Sequence, residues 1–166
     1  MKKIITLVLL VRIVLGLTGC GKKEEDLSNY NKYTYGKVEV YIPKDLTLRE
    51  GKDLNGVDYY LTNDNLAFFT TEYTLEEVKN LAGDVTMESL KDMIIKQMKT
   101  SGITYEEKKL GDNTFYLYNN AGYRYYYCFL YDENVGYDVN VTCLESNQRD
   151  LESVLADIAT HIRLSK

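Results

Sequence analysis

The side chains that most often perform catalysis are scarce in this sequence. It has one histidine, His161, and three cysteines, Cys20, Cys128 and Cys143. A nucleophilic triad needs a histidine beside the nucleophile, and the only histidine lies five residues from the end of the chain. A single histidine also excludes the usual zinc-ligand spacings, and the scattered glycines form no phosphate-binding loop. We therefore predict no enzyme activity, no catalytic residue, no metal site and no cofactor.

Cys128 and Cys143 fall in two consecutive strand-like segments that a short turn joins. If the turn is centred on residues 135–136, the two cysteines face each other; if it is centred on residues 133–134, Cys128 faces Val139 and the other thiol is beyond bonding distance. A longer loop with a bulge at Gly136 gives intermediate pairings. Asn134-Val135-Gly136 does not choose between these registers, because type I′ turns favour adjacent Asn-Gly and type II′ turns favour glycine first. A disulfide and two buried free thiols both stay open.

Tyrosine is the unusual feature of the composition, with 16 tyrosines, 4 phenylalanines and no tryptophan. A tyrosine has an apolar ring and a polar tip, so it suits both a half-buried sheet and a recognition surface. Sheet packing under helices is the simpler explanation. The alternative is a tyrosine-lined groove for a sugar or a peptide, and the absence of tryptophan weakens the sugar version. The candidates for such a groove are Tyr59, Tyr116, Tyr118 and Tyr126.

The first nineteen residues have the parts of a secretory signal. A basic start is followed by an apolar run from Ile4 to Leu17, which Arg12 interrupts. That run is short of the about 20 residues that a membrane span needs, and it carries a charge. It ends in Leu17-Thr18-Gly19-Cys20, which resembles the lipobox of bacterial lipoproteins. An uncleaved anchor and a buried core helix are the alternatives.

The lipobox resemblance implies how the protein is attached to a membrane. It implies that the Cys20 thiol takes a diacylglycerol through a thioether and that a peptidase then cuts before Cys20, so the chain would be anchored by the lipid at the extracytoplasmic face of the cell membrane. Loss of the first nineteen residues removes three basic side chains and lowers the net charge from −5 to −8. This acidity argues against a nucleic-acid partner and against a polybasic membrane contact.

The mature chain divides into a tether and one domain. Residues 20–36 are charged and polar, with too few apolar side chains to bury, so we predict a flexible tether. The alternative is that its tyrosines begin a strand, so the boundary near residue 37 is open by several residues. Residues 37–166 number about 130, which is the usual size of one domain. No internal repeat and no second linker is visible in the sequence.

Strand signals are spread along the whole domain. Alternation of apolar and polar residues predicts a strand over residues 37–43 and a hairpin over residues 57–73. Four strand-like runs follow between residues 104 and 145. Residues 123–131 are apolar at nearly every position, which predicts a central strand covered on both faces. Residues 137–144 alternate with polar side chains, so we predict that this strand lies nearer an edge.

Helix signals separate these strands. Thr74 and Glu77 have the spacing of a capping box, and Thr86 caps a second helix that Gly102 ends. A last helix is predicted from about residue 149 to residue 162. Strands joined by short turns pair antiparallel. The order of elements therefore predicts an α+β domain with a central antiparallel sheet flanked by helices on both faces.

This pattern resembles the Mog1/PsbP-like superfamily. The resemblance rests on "VYIPKDLTLRE", the hairpin "VDYYLTNDNLAFFTTEY", the mid-chain helix and the closing "YDVNVTCLESNQRDLESVLADIATHIRLSK", and it covers residues 37–166. It implies an α/β/α sandwich. Members include a photosystem accessory protein, a binder of a nuclear-transport GTPase and many bacterial lipoproteins, and none of them supplies a catalytic motif to carry over.

The resemblance implies a non-catalytic, surface-anchored lipoprotein that binds a protein partner or assists a complex of the cell envelope. The alternative is a lipoprotein that binds a small ligand, a glycan or a peptide in the tyrosine-lined groove. A deep pocket with convergent tyrosines would favour a ligand, and a flat apolar patch would favour a partner.

Overall fold

The computed structural model describes residues 26–52, 58–62 and 65–165. The signal segment and Cys20 therefore lie outside the described residues. None of the helices in the described ranges has the length and the apolar character that crossing a bilayer requires.

The described residues form ten strands and three α-helices. The strands are β1 (Tyr30–Tyr35), β2 (Val38–Pro43), β3 (Leu48–Lys52), β4 (Asp58–Thr62), β5 (Leu66–Thr74), β6 (Glu106–Leu110), β7 (Asn113–Asn120), β8 (Tyr123–Tyr131), β9 (Val135–Leu144) and β10 (Ile162–Leu164). The helices are α1 (Leu75–Ala82), α2 (Met87–Thr100) and α3 (Gln148–Thr160).

The strands form two antiparallel sheets. The larger has seven strands in the order β3-β4-β5-β9-β8-β7-β6, and the smaller has three in the order β1-β2-β10. Because side chains alternate across a strand, the seven-stranded sheet has two distinct faces. We call the face that carries Phe115, Tyr126 and Val139 the core face, and the face that carries Tyr116, Tyr127 and Asp138 the tyrosine face.

The core face is covered by α3 and by the small sheet. Leu155 and Ile158 of α3 are buried against it, as are Val38, Val40 and Ile42 of β2. The apolar stripe of α3 and the alternation in β2 are the patterns that place these side chains inward. Burial of these apolar side chains removes them from water, which is the main kind of stabilising contribution to folding.

The tyrosine face is covered by α1 and α2. Val78 of α1 and Met87 and Met98 of α2 are buried with Tyr116, Tyr127 and Phe129 of the sheet. Both helices begin as the sequence predicts, since Thr74 caps α1 in a capping box and Thr86 caps α2. The prediction of an α+β domain with helices on both faces of an antiparallel sheet is confirmed.

The structure corrects the position of β9. The sequence places residues 137–144 near an edge, but β9 is the middle strand of the seven. Its polar side chains are typical of an edge strand, but here they are buried and hydrogen-bonded. Asp138 accepts hydrogen bonds from two tyrosine hydroxyls, and the Thr142 hydroxyl donates to the carbonyl of Arg124 at 2.6 Å. A buried polar group with a partner is compatible with a central strand.

The structure also corrects the start of the ordered chain. The sequence places residues 30–35 in the flexible tether, but they form β1, which pairs antiparallel with β2. Tyr33 and Tyr35 pack against the core, and the Tyr30 hydroxyl donates to Asp157 of α3 at 3.0 Å. The tyrosines of this polar segment supply the apolar surface for that packing, which agrees with the alternative that they begin a strand.

Candidate functional site

The cysteine pair is settled by the register of the β8–β9 hairpin. Cys128 pairs with Val139, and Cys143 pairs with Arg124, so the turn is centred on residues 133–134. Four residues of β9 separate the two positions, which corresponds to roughly 13 Å. Both thiols are free and buried, so the candidate disulfide is not formed. Burial raises the pKa of both thiols, which keeps them protonated and unreactive.

We predict that both thiols are free and inaccessible in the native protein. A thiol reagent should fail to label Cys128 and Cys143 until the chain is unfolded, and should then label both without prior reduction. Cys128→Ser should not change the electrophoretic mobility of the unreduced protein. Two thiols that appear only after reduction would contradict this register.

The candidate tyrosines do not line one groove. Tyr116 and Tyr118 lie on the tyrosine face, whereas Tyr126 is fully buried on the core face, where its hydroxyl donates to Glu152 of α3. The register explains this result, since Tyr116 pairs with Tyr127 and the neighbouring residue of β7 pairs with Tyr126. The side chain of Tyr59 lies outside the described residues.

A buried carboxyl group organises the centre of the tyrosine face. Asp138 accepts hydrogen bonds from Tyr73 of β5 at 2.6 Å and from Tyr127 of β8 at 2.5 Å. These bonds connect the two strands on either side of β9. Burial raises the pKa of Asp138, and the two phenols partly offset that rise by stabilising the carboxylate. Burial and the neighbouring carboxyl group raise the pKa of both phenols, so they act as hydrogen-bond donors.

Sequence reasoning missed Asp138 as a feature of the site. It lies in a strand between apolar positions, and a carboxyl group there signals a buried partner. The partners Tyr73 and Tyr127 are distant in sequence, so only the strand order could identify them.

One end of the tyrosine face carries an exposed aromatic and apolar surface. Tyr118 and Tyr125 stack with ring centroids 4.9 Å apart and an angle of 11° between the rings. Tyr123 and Leu144 are paired across β8 and β9, and they are 42% and 39% exposed. We call these four residues the distal patch. Burial raises the pKa of Tyr118 to about 12, so its hydroxyl stays protonated.

A cleft borders the distal patch at the edge of β7. It has a volume of about 610 Å³. It is lined by residues 101–106, by residues 117–120 and by Arg124. We call this the edge cleft. Tyr118 belongs to both the edge cleft and the distal patch.

The single histidine, His161, contacts the backbone of α3 and a tyrosine of β1. Nδ1 of His161 lies 2.7 Å from the carbonyl oxygen of Asp157, and its ring packs against Tyr30 with centroids 4.6 Å apart. It ends α3 and lies against β1. In the described ranges, no three residues among histidine, cysteine, aspartate and glutamate are placed to hold a metal ion.

Comparison with solved structures identifies the fold. Cyanobacterial PsbP (CyanoP) from Synechocystis aligns with a TM-score of 0.50 and 11% identity, covering 88% of this chain and 97% of that chain. The chain has a PsbP-like fold. This confirms the fold that the resemblance to the Mog1/PsbP-like superfamily implied, and at this identity it shows the fold alone.

Two further solved structures align with this chain. A protein from Bacteroides thetaiotaomicron aligns with a TM-score of 0.51 and 12% identity over 83% of this chain, which spans 49% of that protein. LpqN, involved in cell envelope biogenesis of Mycobacterium tuberculosis, aligns with a TM-score of 0.45 and 11% identity, covering 82% of this chain and 91% of that chain. Protein-family models give no match, and curated protein sequences give none.

Proposed function

We propose that this protein is a non-catalytic lipoprotein, anchored at the extracytoplasmic face of the cell membrane, that binds a protein partner of the cell envelope through the distal patch. The observation that carries the proposal is the exposed pair of Tyr123 and Leu144 beside the stacked rings of Tyr118 and Tyr125. Aromatic side chains are enriched in protein interfaces and in their energetic centres.

The stacked tyrosines favour binding for a second reason. Tyr118 and Tyr125 already restrict each other, so a partner that contacts them loses little side-chain entropy. The Tyr123 and Tyr125 rings also lie 6.3 Å apart, so the aromatic surface is continuous along β8. A preorganised aromatic surface of this kind gives more affinity per contact than flexible side chains do.

The proposed anchor limits where a partner can lie. Nine residues separate Cys20 from the start of β1 at Tyr30. A fully extended chain of that length spans about 30 Å. The domain would therefore stay close to the membrane surface, and so would the proteins that it can reach.

The anchor is tested by lipid labelling. Cells supplied with a clickable fatty-acid analogue should label the wild-type protein and not Cys20→Ser, because only a thiol at that position can form the thioether. Cys143→Ser is the matched control and should label as the wild type does. Equal labelling of Cys20→Ser and wild type would refute lipid attachment at this residue.

The partner surface is tested by photocrosslinking in the native cells. A benzophenone amino acid at Tyr123 should crosslink to a discrete protein. The same probe at Leu81 of α1, which is 90% exposed, should not. Leu144→Glu should abolish the crosslink from position 123, because a charge directly opposite that residue disfavours apolar contact. Crosslinks of equal strength from positions 81 and 123 would refute a specific surface.

A glycan or other small ligand in the edge cleft is the second candidate function. The cleft combines an aromatic ring, Tyr118, with the amides of Asn119 and Asn120, which is a combination that suits a sugar. If this is correct, the change in tyrosine fluorescence should saturate when the protein is titrated with soluble cell-wall glycan fragments. Tyr118→Ala should abolish that saturation, while Tyr131→Ala, at the far end of β8, should not.

A further inference from the structure

The edge cleft contains a free strand edge. β6 pairs with β7 only as far as Glu106, which lies opposite Leu117. β7 continues to Asn120, so its last three residues extend past the start of β6. Unpaired strand edges are templates on which another extended chain can add.

The hairpin register shows which backbone groups point into the cleft. Asn120 and Tyr123 close a two-residue turn in which both central residues, Ala121 and Gly122, have positive φ. In such hairpins the closing pair is hydrogen-bonded, and bonded pairs then alternate along the ladder. Asn120 and Tyr118 therefore direct their backbone groups to β8. Asn119 directs its N–H and C=O away from β8, where no residue of β6 lies opposite it.

The outer wall of the edge cleft is held in place by the end of α2. Gly102, with φ +80, donates to the carbonyl of Lys99 at 3.1 Å, and Ile103 donates to the carbonyl of Met98 at 3.0 Å. These two bonds form a Schellman motif, which turns the chain away from the helix. Tyr105 then packs edge-on against Tyr116 with centroids 5.1 Å apart. The cleft is therefore preformed and needs no loop movement to open.

Arg124, which lines the edge cleft, has an unsatisfied hydrogen-bond donor. Its side chain is 11% exposed, and within the described residues its guanidinium donates to Asn119 at 3.3 Å and to Glu152 at 3.4 Å, both long bonds. Within the described part of the chain, its buried Nε has no hydrogen-bond acceptor. Because Arg124 lines the edge cleft, the N–H groups of its guanidinium can donate to an acceptor on an incoming chain.

We propose that the edge cleft binds an extended peptide segment of the partner, which adds as a short strand to the free edge of β7 and pairs with the N–H and C=O of Asn119. The inference rests on the proposed function, because the segment belongs to the protein that contacts the distal patch. A donor and an acceptor on one edge residue match the backbone of another strand, and this is the mode of β-strand addition. Alternate side chains of the peptide would contact Tyr118 on one face and Arg124 on the other.

A pair of substitutions at Asn119 separates backbone pairing from side-chain contacts. Asn119→Pro removes both the side chain and the backbone N–H, and Asn119→Ala removes the side chain alone. Proline is tolerated on a strand edge where the N–H faces outward, so both variants should fold with similar melting temperatures. Circular dichroism and thermal unfolding check this before binding is measured.

The probe is a displayed library of random 12-residue peptides, selected on the full chain purified in detergent. An enriched peptide is synthesised with a fluorophore, and its affinity is measured by anisotropy. Asn119→Ala should bind within about threefold of wild type, whereas Asn119→Pro should bind at least tenfold more weakly. Methylation of alternate backbone nitrogens in the peptide should cause a similar loss. Enriched peptides should also slow hydrogen exchange at the Asn119 amide.

Several results would overturn strand addition. Equal binding by Asn119→Pro and Asn119→Ala would show that the backbone donor is not used. Failure to enrich any peptide would show that the cleft does not take extended chains. Peptides whose binding is lost in Leu144→Glu and kept in Asn119→Pro would refute strand addition and leave the distal patch as a partner surface. The crosslinking experiment in cells, with the probe at position 123, tests the proposed function independently of any peptide.

Discussion

Gly111→Ala is expected to lower the free energy of unfolding by roughly 4 kcal/mol, from backbone strain and overpacking together. Gly111 occupies the β6–β7 turn with φ +58, a conformation that side chains disfavour. A Cβ at this position would also lie well inside the contact distance of the Thr160 carbonyl oxygen at the end of α3. That oxygen belongs to backbone, so it cannot rotate out of the way.

Gly122→Ala is the matched control for this prediction. Gly122 has φ +81 in the β7–β8 turn, but a Cβ there would have no neighbour within 4 Å. It should therefore cost only the conformational strain, about 1–2 kcal/mol. Urea unfolding of both variants measures the difference. Equal losses of unfolding free energy in the two variants would show that the close contact between the β6–β7 turn and α3 does not add to the destabilisation by Gly111→Ala.

Asp138→Ala is expected to lower the free energy of unfolding by roughly 3 kcal/mol, because two buried phenols lose their acceptor. The tyrosines concerned, Tyr73 and Tyr127, come from strands on either side of β9. Asp138→Asn keeps an acceptor oxygen and should cost less. If both variants are as stable as the wild type, these hydrogen bonds do not hold the tyrosine face together.

The Asp138 carboxyl group should also give a pH dependence of definite sign. Burial raises its pKa in the folded state above the unfolded value of 3.8. The folded state then binds this proton more tightly, so the contribution is full below pH 3.8 and is lost as the pH rises through the folded pKa. The difference in stability between wild type and Asp138→Asn should therefore fall as the pH rises from 3.8, and should then level off.

Asp132 provides a control of opposite sign. The hydrogen bond from Lys37 is the main cause that lowers the pKa of Asp132 in the folded state. Its contribution should be present above the unfolded pKa and lost as the pH falls through the folded pKa. Asp132→Asn should remove that acid-side loss and leave the Asp138 effect unchanged. If Asp138→Asn loses stability as steeply as the wild type when the pH rises above 3.8, Asp138 is not the origin of that loss.

Local signals in the sequence predict most of the elements. The capping residues Thr74 and Thr86 start α1 and α2 where expected, because a cap acts within one helical turn. The alternation over residues 37–43 becomes β2, and the apolar run over residues 123–131 becomes β8. These predictions succeed because each depends on residues that are close together in the chain.

The candidate site depends on pairings that local signals do not contain. Tyr126 and Tyr127 are adjacent and have similar side chains, yet one is buried on the core face and the other reaches Asp138 on the tyrosine face. A shift of register by one residue would exchange them. The distal patch likewise exists only because Tyr123 pairs with Leu144.

By itself the sequence determined the positions of the helices and most strands and the α+β class. The lipid on Cys20 stays a prediction. Only the tertiary structure decided that β9 is central, that residues 30–35 join a sheet, that Cys128 and Cys143 are apart, and that β7 extends past β6. The physical reason is that helix caps and alternation act over a few residues, whereas strand order and register minimise the free energy of contacts between distant segments.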